Sequence, residues 1–211
     1  MAQQGRAALT RRRLIQSAAQ SFDTHGFRDA GLAEISGAAG VSNGALHFHF
    51  DTKEALAAAV EDEAMQALAR LWEPVGGDLP ALPSLQQLID STHALAALLR
   101  EDVVVRAAFR MRYEGTSGIG RADPRAAWEA FVAARLDGAA AERTLAEGVP
   151  PKDAAQTITA TTAGFEILGR TDPIWLSEDA LLAFWRLLLP RLAAPEALAR
   201  YPFDPAGSAR K

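Results

Sequence analysis

Apolar residues recur along most of this chain at intervals of three and four, the spacing that places side chains on one face of an α-helix. Long alternating runs of Val, Ile or Thr, which would indicate half-buried strands, do not occur. Alanine and leucine dominate the apolar positions, and both favour helix. We therefore predict an all-α fold with a flexible arm at 1–9, a loop at 114–123, a short helix at 102–113 and longer helices at 10–25, 52–72, 84–100, 124–147, 152–169 and 177–192.

Glycine and proline mark where several of these helices begin and end. Gly26 is expected to end the first helix, since glycine readily leaves helical geometry. Pro124 is expected at the first position of a later helix, where its missing N–H has no intrahelical partner to lose. Residues 73–83 contain three prolines and two glycines, which predict a break after the helix at 52–72.

Two short apolar segments follow the first helix and are separated by a Gly-Val-Ser turn. The first segment presents one apolar helix face made of Leu32, Ile35, Ala38 and Ala39. Gly40 is expected to end this helix in a left-handed conformation, and Ser42 is expected to cap the second helix. Two helices joined by about three residues indicate a helix-turn-helix, whose second helix enters the major groove of DNA.

The second segment carries side chains that suit a helix lying in the major groove. Gly44 and Ala45 are so small that the backbone can approach base edges or a thymine methyl group closely. His47 and His49 are two residues apart, so on a helix they point in different directions and cannot hold a metal ion together. The side chains expected to anchor the segment to the preceding helices are Leu46, Phe48 and Phe50.

A further helix is expected to start within residues 51–54. Asp51 with Glu54 three residues later resembles a capping box. Lys53 lies near the N-terminus of this helix, where the helix dipole favours an anion. We expect Lys53 to reach a DNA phosphate.

The distribution of charge changes how the net charge of −4 is interpreted. Residues 1–53 carry a net charge of +2, and the remainder carries −6. A mildly basic head on an acidic body fits a DNA-binding domain attached to a sensor domain. A difference of this size also arises by chance, so the charge agrees with DNA binding without establishing it.

The run G-V-S-N-G-A-L-H-F-H-F-D-T-K-E-A-L resembles the recognition-helix signature of the TetR family of one-component repressors. Its F-H-F ending and the tract R-A-A-L-T-R-R-R-L-I-Q-S-A-A-Q-S-F-D-T-H-G-F resemble the γ-butyrolactone autoregulator receptors and pseudo-receptors of that family. The resemblance implies an N-terminal three-helix DNA-binding domain at 1–53 and a larger helical ligand-binding and dimerisation domain at 54–211. It implies a homodimer that represses transcription from a pseudo-palindromic, double-stranded DNA operator and is released by a small apolar effector.

The resemblance also implies which residues contact DNA. They are Arg11, Arg12, Arg13, Ser42, Asn43, Gly44, Ala45, His47, His49 and Lys53. The family usually has Lys in place of Asn43 and Tyr in place of His47, and it often has Thr where this chain has Ala30 and Gly31. Each phosphate contact that is lost through these differences weakens binding to all DNA sequences and reduces the dependence of binding on salt.

The segment L-L-A-F-W-R-L-L-L-P-R-L near the C-terminus is apolar almost all round. A helix of this kind is buried either in its own core or against a partner. In the family that the chain resembles, the last two long helices form a four-helix dimer interface, so we expect that role for 152–169 and 177–192. A two-fold dimer would then bind the two half-sites of a palindrome.

An effector site between helices should be mostly apolar, with a few polar groups that orient the ligand. Trp128 is a candidate because the receptor subgroup has a Trp at the matching place, and its indole N–H can donate to a carbonyl oxygen. An ordinary core tryptophan is the alternative. Further candidates for this site are Thr161, Phe165, Phe109, Met111 and Phe131.

Four threonines lie close together in the helix at 152–169: Thr157, Thr159, Thr161 and Thr162. A buried hydroxyl needs a partner, which a ligand can supply. The alternative for each hydroxyl is a bond to the carbonyl four residues back. The receptor subgroup often has Gln where this chain has Ala64, which leaves room for a different or larger ligand.

Other classes of function have little support in the sequence. It contains no phosphate-binding glycine loop and no cysteine, so we expect no catalysis, no metal and no cofactor. It has no long apolar run, so we expect no membrane association and a cytoplasmic location. Two alternatives stay open: a regulator of an efflux or catabolic gene with an unrelated ligand, and a helical interaction protein with weakened DNA binding.

Overall fold

The computed structural model describes residues 2–72, 82–113 and 123–200. Across these ranges the chain is helical, and its extended pairing is limited to an isolated bridge, which confirms the all-α prediction. The helices are α1 (Ala2–Asp29), α2 (Leu32–Ala38), α3 (Asn43–His49), α4 (Lys53–Trp72), α5 (Ser84–Glu101), α6 (Val103–Tyr113), α7 (Pro124–Ala141), α8 (Pro151–Gly169), a 3-10 helix (Pro173–Leu176), α9 (Glu178–Leu192) and α10 (Pro195–Arg200). The bounds predicted for α4, α5, α6, α8 and α9 are confirmed to within one residue at each end.

The helices group into two compact units. Unit 1 comprises residues up to 70 together with 101–125, and unit 2 comprises 71–100 together with the residues from 126 onward. These bounds describe how the helices pack. The predicted division at residue 53 separates a DNA-binding domain from a ligand-binding domain by function, and it stays a prediction. The loop predicted at 114–123 lies almost entirely outside the described residues.

Unit 1 is built around α1. Helix α6 packs along α1, where Arg106 Nε donates to Asp23 Oδ2 at 2.9 Å and Arg110 donates to the Asp23 carbonyl oxygen. Helix α2 packs on α1 and α3 packs on α2, and these two short helices bury Ile35 and Leu46 completely. The face of α1 that lies in this core consists of Leu14, Ile15, Ala18, Ala19 and Phe22.

Helix α1 differs from its prediction at the N-terminal end. It begins at Ala2, so residues 2–9 are helical rather than a flexible arm, which agrees with the helix-forming Ala, Gln, Arg and Leu of this stretch. The predicted break at Gly26 is confirmed, with φ 83° and ψ 162°. Phe27 follows this kink and packs against Phe22, with 5.5 Å between ring centroids.

Unit 2 has its core between α5, α7, α8 and α9. The start of α5 is held by Glu142, whose carboxylate accepts the Ser84 N–H at 3.0 Å and the Ser84 hydroxyl at 2.6 Å. A Cβ atom on Gly138 would lie 2.5 Å from Ser84 Oγ, so this glycine allows α7 to approach the start of α5. The buried side chains of this core include Leu85, Leu88, Ile89, Trp128, Val132, Leu136, Ile158 and Trp185.

Helix α7 begins at Pro124 as predicted but ends at Ala141 rather than near residue 147. Arg143 adopts a left-handed φ of 57°, and the Thr144 N–H returns to the Ala139 carbonyl at 2.9 Å, which closes the helix. Leu145 then pairs with a distant residue, Ala193, in an antiparallel bridge. Local periodicity does not reveal such a pairing, and it also missed the 3-10 helix and α10.

Candidate nucleic-acid interface and ligand-binding region

Helix α2, the turn after it and α3 form the predicted helix-turn-helix. Gly40 has φ 69°, and the Val41 N–H donates to the Ser36 carbonyl at 3.0 Å, so a left-handed glycine closes α2 as expected. Ser42 caps α3, because its Oγ accepts the Ala45 N–H at 3.2 Å. Hydrogen bonds on both sides of the turn therefore define where α3 begins.

Asn43 is the first residue of α3 and is exposed. Ser36, which is buried on α2, donates its hydroxyl to Asn43 Oδ1 at 2.7 Å. Because this bond engages the amide oxygen, the two amide N–H donors of Asn43 can serve an acceptor outside the protein. Ser36 is thus a positioning residue that the sequence pattern did not reveal, since the contact depends on how the turn folds back.

The exposed face of α3 differs from its prediction at one residue. Leu46 and Phe50 are buried as expected, but Phe48 is 83% exposed and anchors nothing. The prediction for Phe48 is wrong because residues two apart lie about 200° apart around a helix. Gly44 and His47 are exposed, and Ala45 and His49 are half-buried.

Arg11, Arg12 and Arg13 of α1 are exposed in unit 1. The Arg11 guanidinium lies 5.1 Å from the centroid of the Phe50 ring, which connects α1 to the end of α3. Arg12 and Arg13 line an open groove together with Ala38 of α2. Ala38 was predicted on the core face of α2 but is exposed, because the buried face of this segment consists of Ile35, Ser36 and Ala39.

Lys53 contacts the end of α1. Its Nζ donates to the Arg28 carbonyl at 3.0 Å and lies 4.8 Å from the centroid of the Phe27 ring. A lysine ammonium has three donors, so two stay available for a phosphate. The cap of α4 is Thr52 rather than Asp51, because the Ala55 N–H donates to Thr52 Oγ1 at 3.1 Å.

Glu61 of α4 is a buried carboxyl group that the sequence pattern did not single out. It is 1% exposed, and its Oε2 has no hydrogen-bond partner among the described residues. Arg112 Nε lies 3.6 Å from Glu61 Oε1 and 3.7 Å from Asp123 Oδ2. Burial raises the pKa of Glu61 above its ordinary value of 4.5, the Arg112 charge opposes this rise, and the Asp123 and Asp62 charges add to it.

We expect the contribution of Glu61 to make the protein less stable as pH rises from 4.5. Below 4.5 the carboxyl is protonated in the folded and the unfolded chain alike. Above it the unfolded chain releases the proton first, so the free energy of unfolding falls until pH passes the raised pKa. Urea unfolding of Glu61→Gln beside the unaltered protein, from about pH 4 to about pH 8, isolates this contribution. A stability difference that stays constant over that range would contradict the pKa shift.

Trp128 belongs to a stack of three aromatic rings in unit 2. Phe131 stacks on Trp128 and on Trp72, with centroid distances of 5.6 Å and 5.1 Å. Trp128 is 3% exposed, and its Nε1 donates to Thr162 Oγ1 at 2.9 Å. The structure therefore brings Trp128 and Phe131 together, and it adds Thr162, one of the four clustered threonines, and Trp72, which gave no signal in the sequence.

The other candidates for the effector site are not part of this ring stack. Thr161 donates to the Thr157 carbonyl at 2.8 Å, so its hydroxyl bonds the carbonyl four residues back. Phe165 packs edge-on against Phe184, with centroids 5.7 Å apart. Phe109 is buried in α6, which belongs to unit 1 rather than to the unit that holds Trp128, and Met111 of the same helix is buried as well.

Several buried polar atoms of unit 2 lack a hydrogen-bond partner within the described part of the chain, among them the Trp72 indole N–H at the end of α4 and the Thr159 hydroxyl on α8. An unpaired buried donor costs free energy until something accepts its proton. Thr159 lies one helical turn before Thr162, the partner of Trp128, so its hydroxyl marks the same region of unit 2.

Over the ranges that the structure describes, no cluster of three or more His, Cys, Asp or Glu side chains is arranged to hold a metal ion. None of the helices in those ranges combines the length and apolar character needed to span a bilayer.

The chain is similar to known regulatory proteins. The family model described as "Bacterial regulatory proteins, tetR family" matches residues 14–60. The A-factor receptor protein of Streptomyces griseus is 32% identical over 200 residues, which cover 94% of this chain and 69% of that protein. A crystal structure of a γ-butyrolactone receptor (ArpA-like protein) superposes with a TM-score of 0.77 at 29% identity, covering 93% of this chain and 94% of that one. CprB from Streptomyces coelicolor, in complex with its biological operator sequence, superposes with a TM-score of 0.76 at 30% identity and the same two coverages.

The helix-turn-helix of unit 1 and these similarities define a DNA-binding regulator. The chain belongs to the TetR family of bacterial regulatory proteins. Within that family it closely resembles the γ-butyrolactone receptors.

Proposed function

We propose that this regulator represses transcription by binding a pseudo-palindromic operator as a homodimer, and that a small apolar ligand releases it. The observation that carries the proposal is α3, which Ser42 caps and which exposes Asn43, Gly44 and His47. A two-fold dimer presents two such helices to successive major grooves. The protein acts by binding rather than by catalysis, and it acts in the cytoplasm, where the operator lies.

Contacts with the DNA backbone and with the bases have different roles in this proposal. Arg11, Arg12, Arg13 and Lys53 neutralise phosphates, which supplies affinity that is independent of sequence and sensitive to salt. The exposed residues of 42–49 face the base edges and supply the sequence preference. The hydrogen bond from Ser36 supports base contact by Asn43. It holds the amide oxygen of Asn43 in place and leaves the two amide N–H donors for a base edge.

The ring stack of Trp72, Phe131 and Trp128 supports a ligand site in unit 2. Its rings offer an apolar wall, while the Trp72 N–H and the Thr159 hydroxyl offer donors without partners. A small apolar ligand with carbonyl oxygens would satisfy them. The names of the similar proteins, A-factor receptor and γ-butyrolactone receptor, point to a lactone of this description.

Release of DNA requires that the ligand bind one conformation of the dimer more tightly than another. A ligand with equal affinity for both conformations shifts nothing, however tightly it binds. We propose that the ligand favours a conformation in which the two α3 helices no longer match successive grooves.

A regulator of the same family with an unrelated ligand is the second candidate. Ala64 of α4 is completely buried at the place where the receptor subgroup often has Gln. This residue brings no polar group to a ligand, which favours a compound other than a butyrolactone. The target would then be an efflux or catabolic gene.

Binding to DNA upstream of the protein's own gene, measured by fluorescence anisotropy over a series of salt concentrations, tests the proposal. Specific binding should resist competitor DNA and weaken as salt rises. Adding a γ-butyrolactone with an alkyl side chain should then dissociate the complex. Binding without dissociation would favour an unrelated ligand, and the absence of specific binding to this DNA and to a random duplex library would reject the repressor proposal.

The hydroxyl of Thr159 gives a prediction about the ligand. Thr159→Val should weaken ligand-induced release about three- to tenfold, because the variant makes one hydrogen bond fewer to the ligand. The variant should be at least as stable as the unaltered protein, since a buried hydroxyl without a partner is removed. Thr157→Val is the matched control, because Thr157 is exposed and bonds the Asp153 carbonyl at 2.9 Å. Equal ligand responses of the two variants would exclude Thr159 from the site.

A further inference from the structure

Phe48 is the most exposed large apolar side chain in the described ranges, at 83%. It lies in the last turn of α3, and its ring contacts His49 edge-on at a centroid distance of 5.3 Å. Folding therefore leaves most of a phenyl ring in water, on the helix that is proposed to enter the major groove. Apolar area of this kind gains free energy only when a second surface covers it.

Gly44 lies one helical turn before Phe48 and on the same face of α3. A Cβ atom at Gly44 would meet only Ser42 Oγ, at 3.9 Å, and Gly44 is not among the glycines with positive φ. Glycine is less favourable than alanine inside a helix. Because neither packing nor backbone conformation explains Gly44, we attribute its small size to the close approach of something outside the protein.

We infer that Phe48 reads the C5-methyl group of a thymine in each operator half-site, while Gly44 lets the base edge approach. This inference rests on the operator binding proposed above. The thymine methyl is the apolar group that the major groove presents among its hydrogen-bonding atoms, and a phenyl ring is a suitable partner for it. Phe48 thus adds apolar readout to the hydrogen-bond donors of Asn43 and His47.

The surroundings of Phe48 favour DNA over a protein as the surface that covers the ring. Its neighbours His47 and His49 are polar, and the exposed side chains of unit 1 include the arginines at 11–13. A protein interface centred on an aromatic anchor would place further apolar side chains around it. The rest of the exposed face of α3 consists of Asn43, Gly44 and His47.

The experiment begins by selecting operator sequences from a random duplex library with the full-length protein. Each thymine of the selected operator is then replaced by deoxyuridine, which removes the methyl group and keeps every hydrogen-bonding atom. We expect one symmetry-related pair of positions at which each replacement weakens binding about fourfold and both together about fifteenfold, as expected for removing one buried methyl group per half-site. Phe48→Ala should weaken binding to the unmodified operator and remove the effect of deoxyuridine at that pair.

Three controls separate methyl readout by Phe48 from a general loss of folding or of DNA affinity. Phe48→Leu keeps an apolar side chain and should retain part of the deoxyuridine effect. Thermal unfolding of Phe48→Ala should match that of the unaltered protein, because the ring is exposed. Gly44→Ala should weaken operator binding, while Gly37→Ala, at a helical glycine with nothing within 4 Å of its added Cβ, should leave it unchanged.

Several results would overturn the inference. One is a deoxyuridine effect that persists in Phe48→Ala, and another is an unaltered protein that tolerates deoxyuridine at every thymine. A lower molar mass of Phe48→Ala in light scattering would assign the ring to a contact between protein chains instead. If the library yields no preferred sequence, the proposed operator binding fails and the inference fails with it.

Discussion

Replacing Trp128 with alanine is expected to lower the free energy of unfolding by about 3–5 kcal/mol. The indole is 3% exposed, stacks on Phe131 and donates to Thr162, so the variant loses buried apolar area and a hydrogen bond together. Chemical denaturation at fixed protein concentration, followed by circular dichroism, measures the effect. This expectation changes how Trp128 can be tested as a ligand contact, because an alanine variant that no longer folds would also fail to respond to the ligand.

Trp128→Phe is the matched variant for this test. It keeps a ring that can stack on Phe131 and removes the N–H that Thr162 accepts. We expect the free energy of unfolding to fall by only about 1–2 kcal/mol, most of it from the hydrogen bond and the smaller ring. If Trp128→Ala were as stable as the unaltered protein, the buried area and hydrogen bond of Trp128 would not stabilise unit 2.

Replacing Leu187 with glutamate is expected to convert the dimer to a monomer and to weaken operator binding by at least about 100-fold. Leu187 lies on α9 and is 81% exposed, whereas its neighbours Trp185 and Leu189 are buried. In a two-fold interface the new carboxylate appears twice, and each copy is buried without a partner. Loss of dimerisation uncouples the two half-sites, so the affinity for the whole operator approaches that of a single head.

Light scattering and operator titration measure the two effects of Leu187→Glu. Leu82→Glu is the control, since it places the same charge on another exposed leucine, just before α5. The control should keep both the molar mass and the operator affinity. A dimeric Leu187→Glu variant with unchanged affinity would locate the interface away from α9. Further exposed apolar side chains that this interface would cover are Leu168, Ile174 and Trp175.

Sequence periodicity predicted the long helices well because a helix of four or more turns repeats its apolar pattern several times. The turn of the helix-turn-helix was equally predictable, since Gly40 and Ser42 act through local hydrogen bonds. The end of α7 was not, because Arg143 is not a residue type that indicates a left-handed helix end, and the bridge from Leu145 to Ala193 pairs backbone that is distant in sequence. A helix end is predictable where a local cap closes it, as at Gly40, whereas the residues after α7 pair with backbone from another part of the chain.

The candidate site shows the same division. The sequence by itself determined the family, the all-α class and the helix that carries the DNA-reading residues, because these follow from local spacing and a contiguous motif. Only the tertiary structure decided that Phe48 is exposed, that Ser36 holds Asn43, and that Trp128 bonds Thr162. The physical reason is that a motif specifies which residues are present on a helix, while burial and hydrogen-bond partners come from other helices that pack against it.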